Sequence, residues 1–364
     1  VAKITDTRSL ALDGAISITT VEIDGNTYAL VATFNDDGIQ IIDITDPTNP
    51  RPTANITDSS SLELDGASGI TTVVIGTNTY ALVAALNDDG VQIIDITDPS
   101  NPTPTASITD SSSLALDGAK GITTEVIGEH TYALVTAQWD DGVQIIDITD
   151  PSSPTPTASI KDSSSLALDG ASGITTVVIG GSTYALVAAQ WDHGVQIIDI
   201  TDPTTPTATA SITNSSGREL QVAIGITTVV IGGRTYALVA ALDDDGVQII
   251  DITDPSNPTP TAGVTDSSSF ALDGAIGITT VVMGTSTYAM VAAQSDDAVQ
   301  IIDITDPTNP TATASITDSS SLALDGARSI STVLIGERIY VLVAANGDDG
   351  VQIMEFGSDI QPPV

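Results

Sequence analysis

The chain has 364 residues, with 47 acids against 9 Lys plus Arg and a formal net charge of −38. That balance excludes nucleic acid and anionic lipid as partners, since both recruit basic surfaces. The absence of Cys excludes disulfides, thiolate metal sites and Cys nucleophiles, and two His leave almost no room for an imidazole cluster. At 41% hydrophobic composition the chain is rich enough in apolar residues to fold. No apolar run approaches the ~18 residues of a membrane span, so insertion into a bilayer is not expected. The chain begins at Val1 with no visible signal peptide, as a processed product would.

A period of 52 runs from end to end. The seven tyrosines, Tyr28, Tyr80, Tyr132, Tyr184, Tyr236, Tyr288 and Tyr340, stand 52 residues apart without insertion or deletion. The period divides the chain into units 1–52, 53–104, 105–156, 157–208, 209–260, 261–312 and 313–364, the last ending in a non-repeat tail at 357–364. Units this alike cannot each bury a core alone and must pack against their neighbours, so 1–364 reads as one domain.

Within the second unit, residues 67–76 form a predicted first strand rich in β-branched residues. Residues 76–78 turn the chain, and 79–85 form a second strand. Asp88-Asp89-Gly90 is a hairpin signal, Asp-Gly being expected to supply a positive φ. Residues 91–97 form a third strand, stopped by Asp98-Pro99 because proline cannot donate to a ladder. Residues 103–110 form a polar, Thr-rich fourth strand suited to an outer edge, and 111–118 cross to the next unit. The three inner strands read as continuously apolar, hence covered on both faces. Seven such four-stranded antiparallel sheets predict an all-β, seven-bladed β-propeller. The last unit lacks a fourth strand, while residues 1–9 match the fourth-strand segment, so the N-terminal strand is expected to close the ring in the last blade.

The segments YALVAA, DDG and VQIIDITDP resemble the LVIVD repeat, a bacterial and archaeal propeller repeat found largely in secreted and surface proteins. The resemblance covers all seven units. It implies a propeller and an extracellular or cell-surface setting, and it implies no activity.

Alternating strand direction puts the DDG turns and the LDGA connections on one face, the top. Paired acids recur there at Asp36-Asp37, Asp88-Asp89, Asp140-Asp141, Asp244-Asp245, Asp296-Asp297 and Asp348-Asp349, while the fourth unit has Asp192-His193. Such pairs could bind Ca²⁺, which takes several oxygen ligands, or could simply build the turn. A second ring, Asp13, Asp65, Asp117, Asp169, Asp273 and Asp325, broken by Gln221, suits backbone N–H groups of its own loop. A third, Asp43, Asp95, Asp147, Asp199, Asp251 and Asp303, lies in apolar strands and needs a partner, the adjacent blade being the expected source.

Asymmetric function must use departures from the repeat. Gln138-Trp139 and Gln190-Trp191-Asp192-His193 hold the two tryptophans at equivalent turns, which makes them expected neighbours on the top face. Exposed aromatics beside carboxamides suit sugar stacking or a protein hot spot. Residues 217–223, GRELQVA, are a second departure. Asn55 and Asn214 head N-glycosylation sequons. No GxSxG, HExxH, GxGxxG or Walker motif is present, and the first strands offer the channel Thr and small residues. The expected function is therefore a non-enzymatic extracellular structural or interaction protein, self-assembling head to tail into a layer or fibre, requiring no cofactor. The alternative is adhesion to a glycan or another surface protein through Trp139 and Trp191, and a third reading is a hydrolase or lyase at the channel mouth.

Overall fold

The computed structural model describes residues 2–7, 9–215 and 217–357. Its strands form seven four-stranded antiparallel sheets arranged as propeller blades. Blade 1 runs through Ala15–Ile23, Asn26–Thr33, Gly38–Asp43 and Arg51–Thr57, and blades 2 to 6 repeat this pattern from Ala67, Ala119, Ala171, Ala223 and Ala275. Blade 7 combines Ala327–Ile335, Arg338–Ala345 and Gly350–Phe356 with Ala2–Thr5. The closing strand pairs Ala2 with Ile353 and Thr5 with Gly350, as the sequence leads one to expect. Lys3 Nζ secures it by donating to the Leu322 carbonyl at 2.8 Å.

The core lies between blades. One representative cluster joins Leu30, Ile39 and Ile41 of blade 1 to Leu64, Ala67, Ile70, Val83, Ile94 and Ile96 of the blade 2 side. At roughly 1.5–3 kcal/mol for each buried Leu or Ile, these interfaces rather than the single sheets hold the ring. Second and third strands are buried throughout, whereas first strands are mostly half-buried, because their inner edges line the central channel. The expectation of three fully covered inner strands thus holds for only two of them.

A buried glutamine in each third strand organises the blade. Gln40 Nε2 donates to the Ala54 carbonyl of the fourth strand at 2.8 Å, and its Oε1 accepts the Ala11 N–H of the incoming connection at 3.1 Å. In blade 7, Gln352 Nε2 donates instead to the Ala2 carbonyl at 2.9 Å, so the closing strand occupies the same socket.

The DDG turn works differently from its sequence signature. The second Asp, not the Gly, takes the positive φ: Asp37 at 51° and Asp89 at 52°, with His193 at 51° in blade 4. Six blades place a glycine next, where the fourth strand passes close by, and blade 6 places Ala298 there. A Cβ on Gly38 would lie 2.3 Å from the Ile56 carbonyl oxygen.

Candidate functional site on the top face and in the channel

Both acids of each DDG turn accept backbone hydrogen bonds. The first stays within its blade: Asp36 Oδ2 accepts the Asp13 N–H at 2.9 Å, and Asp88 Oδ2 that of Asp65 at 2.8 Å. The second reaches across the interface: Asp37 Oδ1 accepts the Gly66 N–H of the connection into blade 2 at 2.9 Å. The same latch recurs from Asp89 to Gly118, Asp141 to Gly170, Asp245 to Gly274, Asp297 to Gly326 and Asp349 to Gly14. Between blades 4 and 5 it is His193 Nδ1 that accepts the Val222 N–H, at 3.0 Å.

Each second Asp also faces an LDGA carboxylate of the next unit. Burial first, then the neighbouring carboxylates, push Asp117, Asp169 and Asp325 above the ordinary range. Burial likewise raises Asp37, Asp245 and Asp349, against the lowering effect of their backbone bonds. Asp140 has an additional partner in Lys161 Nζ at 2.6 Å. Among the described residues, no group of three or more carboxylates or imidazoles converges as a metal would require. The paired acids form a hydrogen-bonded rim.

Asp13 and Asp65 do not bond backbone N–H groups of their own loops as expected: each accepts the side-chain amide of an Asn in the hairpin turn of the same blade, Asn35 and Asn87, at 2.8 Å. The third-strand acids find their partner in their own blade, not the adjacent one. Asp43 Oδ1 accepts the Thr45 N–H at 2.9 Å. Where a basic group is available it joins: His130 bonds Asp147 at 2.8 Å, and Arg234 bonds Asp251. Asn55 is exposed on an outer strand. Asn214 is turned inward, with its Oδ1 buried and without a partner among the described residues. The third residue of its sequon, Ser216, lies outside the described residues, as does the tail beyond Gly357.

Trp139 and Trp191 are 49% and 44% exposed, large values for indoles. Each packs one side on the glycine of its own LDGA connection, where a Cβ on Gly118 would lie 2.9 Å from Trp139 Cδ2 and one on Gly170 2.7 Å from Trp191 Cδ2. Gln138 and Gln190 beside them are joined by a 3.5 Å hydrogen bond, so the two departures from the repeat do meet.

They also meet residues that the sequence reading passed over. Lys120 and Arg328 hold a position that is Ser or Ile in the other first strands, and both point into the channel. With Gln138, Asn35 and Asn346 they line a cavity of about 340 Å³ at its top. Lys120 Nζ donates to Gln190 Oε1 at 3.1 Å. Burial, reinforced by the charge of Arg328, lowers Lys120 to about 8. Burial alone lowers Arg328. The channel is thus lined by more than Thr and small residues. The available signal was compositional: two of nine basic residues replace Ser or Ile at one repeat position.

At the opposite end, the penultimate residue of six first strands is a large, exposed apolar side chain. Val74, Val126, Val178, Val230, Val282 and Leu334 are each 59–65% exposed around the bottom mouth.

Fold and faces together define a seven-bladed β-propeller with a carboxylate-latched rim and a polar channel mouth. The chain belongs to the LVIVD repeat family, whose model matches residues 18–58, 72–110, 121–162, 176–213, 229–265 and 281–318. The seventh blade, split between the chain's two ends, falls outside those matches. No curated protein matches the sequence. Among solved structures, a functionally unknown protein from Desulfotomaculum acetoxidans is 15% identical with a TM-score of 0.63, over 91% of this chain and 92% of that one. BBS1N in complex with ARL6DN is 10% identical with a TM-score of 0.65, over 99% of both chains. A Lactobacillus plantarum protein is 11% identical at 0.59, over 84% and 86%. At these identities the likeness concerns the fold.

Proposed function

We propose that this propeller is a non-enzymatic interaction module working outside the cell, and that it binds carbohydrate on its top face at Trp139 and Trp191. The observation that carries this reading is the pair of half-exposed indoles on adjacent blades, flanked by the linked carboxamides of Gln138 and Gln190. A flat apolar surface beside neutral donors and acceptors is what a sugar ring requires, with C–H faces for stacking and hydroxyls for hydrogen bonds. The non-enzymatic part is supported by the engagement of the rim acids, which accept backbone N–H groups and so serve as struts. Ca²⁺ is not required for that role. A glycan array probed with the wild type, Trp139→Ala and Trp191→Ala tests the reading. Binding that either substitution reduces at least tenfold supports it, and identical array profiles for all three proteins reject it.

A second reading, head-to-tail self-association into a layer or fibre, is favoured by the bottom ring. Six exposed apolar side chains around one mouth form a patch of the kind that soluble monomers avoid. Top and bottom differ, so a contact between them would be heterologous and would propagate. Light scattering of the wild type against Val126→Asp/Val178→Asp is the test. Concentration-dependent growth lost in the double variant supports assembly, and a wild-type monomer at all concentrations rejects it.

A further inference from the structure

We infer that the top of the channel is a binding site for a small carboxylate-bearing sugar acid, held between Arg328 and Lys120. The inference stands apart from the Trp139–Trp191 reading.

A chain with a net charge of −38 has only nine Lys and Arg to place. Five of those at the surface are used conventionally. Lys161, Arg234 and Arg338 pair with carboxylates, and Lys3 and Arg218 donate to backbone carbonyls. Lys120 and Arg328 are treated otherwise. They sit in the channel, on first strands of blades 3 and 7, with no carboxylate beside either among the described residues. The Arg328 guanidinium forms no hydrogen bond or ion pair with any other described residue, and it lines the cavity with five N–H donors to offer. Lys120 spends one donor on Gln190 and keeps two. Two like charges close enough to affect one another, both partly removed from water, are costly unless an anion completes the set. A planar carboxylate matches the guanidinium fork and accepts from an ammonium as well.

The remaining walls choose among anions. Gln138, Asn35, Asn346 and Ser68 offer neutral donors and acceptors, and Phe34 gives an apolar surface. These suit hydroxyls and the C–H face of a ring. A volume of about 340 Å³ falls at the small end of ligand pockets, which run from roughly 300 Å³. The acidic rim above repels multiply charged anions, so a single negative charge with neutral hydroxyls is the best fit. The uncharged Ser68, Gln138, Ser172 and Gln190 face Lys120 from the neighbouring strands and loops, and among the described residues Arg328 is the charge acting on it across the channel.

Calorimetric titration of the full chain with sodium glucuronate tests the site, with glucose and sodium sulfate as comparators at fixed ionic strength and pH 7. Saturable 1:1 binding of glucuronate is expected, with none for glucose. Arg328→Gln and Lys120→Gln should each weaken it at least tenfold while melting no lower than the wild type. Affinity should fall as pH rises from 7 to 9 in the wild type and stay level in Lys120→Arg, which keeps its charge. Absence of saturable glucuronate binding, or unchanged affinity in Arg328→Gln, would overturn the proposal. Sulfate competing with equal affinity would also overturn it, since the site would then read charge alone.

Discussion

Six blade interfaces carry the same acidic hardware, and the one between blades 4 and 5 does not. Between blades 1 and 2, Asp37 latches Gly66 and faces Asp65, with Asp58 nearby. At the corresponding positions between blades 4 and 5 stand His193, Val222, Gln221 and Asn214. All three carboxylates are replaced at once, yet the hydrogen bond across the interface is kept, at 3.0 Å against 2.9 Å. The positive φ is kept too, at 57° on a β-branched valine. The interface therefore needs an acceptor and a left-handed backbone at this point. It does not need the charge, which is a cost carried six times over.

The comparison is broken most severely at blade 7, where closure lacks covalent continuity. Deleting residues 1–7 removes the strand that fills the Gln352 socket and leaves a bare edge on Gly350–Phe356. A loss of at least about 3 kcal/mol, with a broadened melt and aggregation, is expected from a neighbour-dependent repeat. A truncated protein that melts like the wild type would show that the ring does not depend on its clasp.

The next effect separates acceptor from charge at an acidic interface. Asp37→Ala should cost about 1–3 kcal/mol, because the Gly66 N–H loses its partner. Asp37→Asn keeps an acceptor, tolerates positive φ and removes the repulsion from Asp65, so urea denaturation at pH 7 should find it at least as stable as the wild type. Equal destabilisation by both would mean that the charge itself matters.

The pH dependence follows from the same groups. Their carboxyls are raised in the folded state, so their contribution to stability is fully present below the unfolded value of about 3.9 and is lost as pH rises through the folded one. Lowering the pH from 7 toward 5 should raise the melting temperature by a few degrees, less so in Asp37→Asn. Below about pH 4 the trend should reverse, because Asp147 and Asp251 are held low by bonds to Thr149 and Thr253 that work against their burial. A melting temperature that falls monotonically from pH 7 would contradict the raising of the rim carboxyls by burial and by their neighbours.

Changes at two residues address the neutral interface. Val222→Gly relieves a valine in the left-handed region and should stabilise by about 1 kcal/mol, read by chemical denaturation. No gain would mean that packing of the valine offsets the strain. His193→Asp should change little at pH 7. His193→Ala removes the acceptor and should cost about 1–3 kcal/mol, because the Val222 N–H loses its partner. A His193→Ala variant as stable as the wild type would show the latch to be dispensable there.

The blades were legible because a 52-residue period and turn residues repeat without error, and the closing strand because residues 2–5 resemble every outer strand. The channel charges were not. Residue 120 precedes a half-buried run in which periodicity cannot separate the channel edge from the interface, so Lys120 and Arg328 read as ordinary variation at a loose position. For the rim acids the sequence leaves Ca²⁺ binding and turn building both open, because a paired Asp before Gly suits either. Their reach to the next blade is a tertiary fact, as is the role of the glutamines buried in the third strands.

The closure at blade 7 also has a consequence for biosynthesis. Gln352 bonds the carbonyl of Ala2 across 350 positions of the chain. During vectorial translation the first six blades can assemble as they emerge, while residues 2–5 wait for the last sheet to leave the ribosome. Throughout that interval the waiting segment competes with six outer strands of nearly its own sequence. The socket that receives it is complete only when residues 350–353 have left the ribosome, so closing the ring is the last step in assembling the blades.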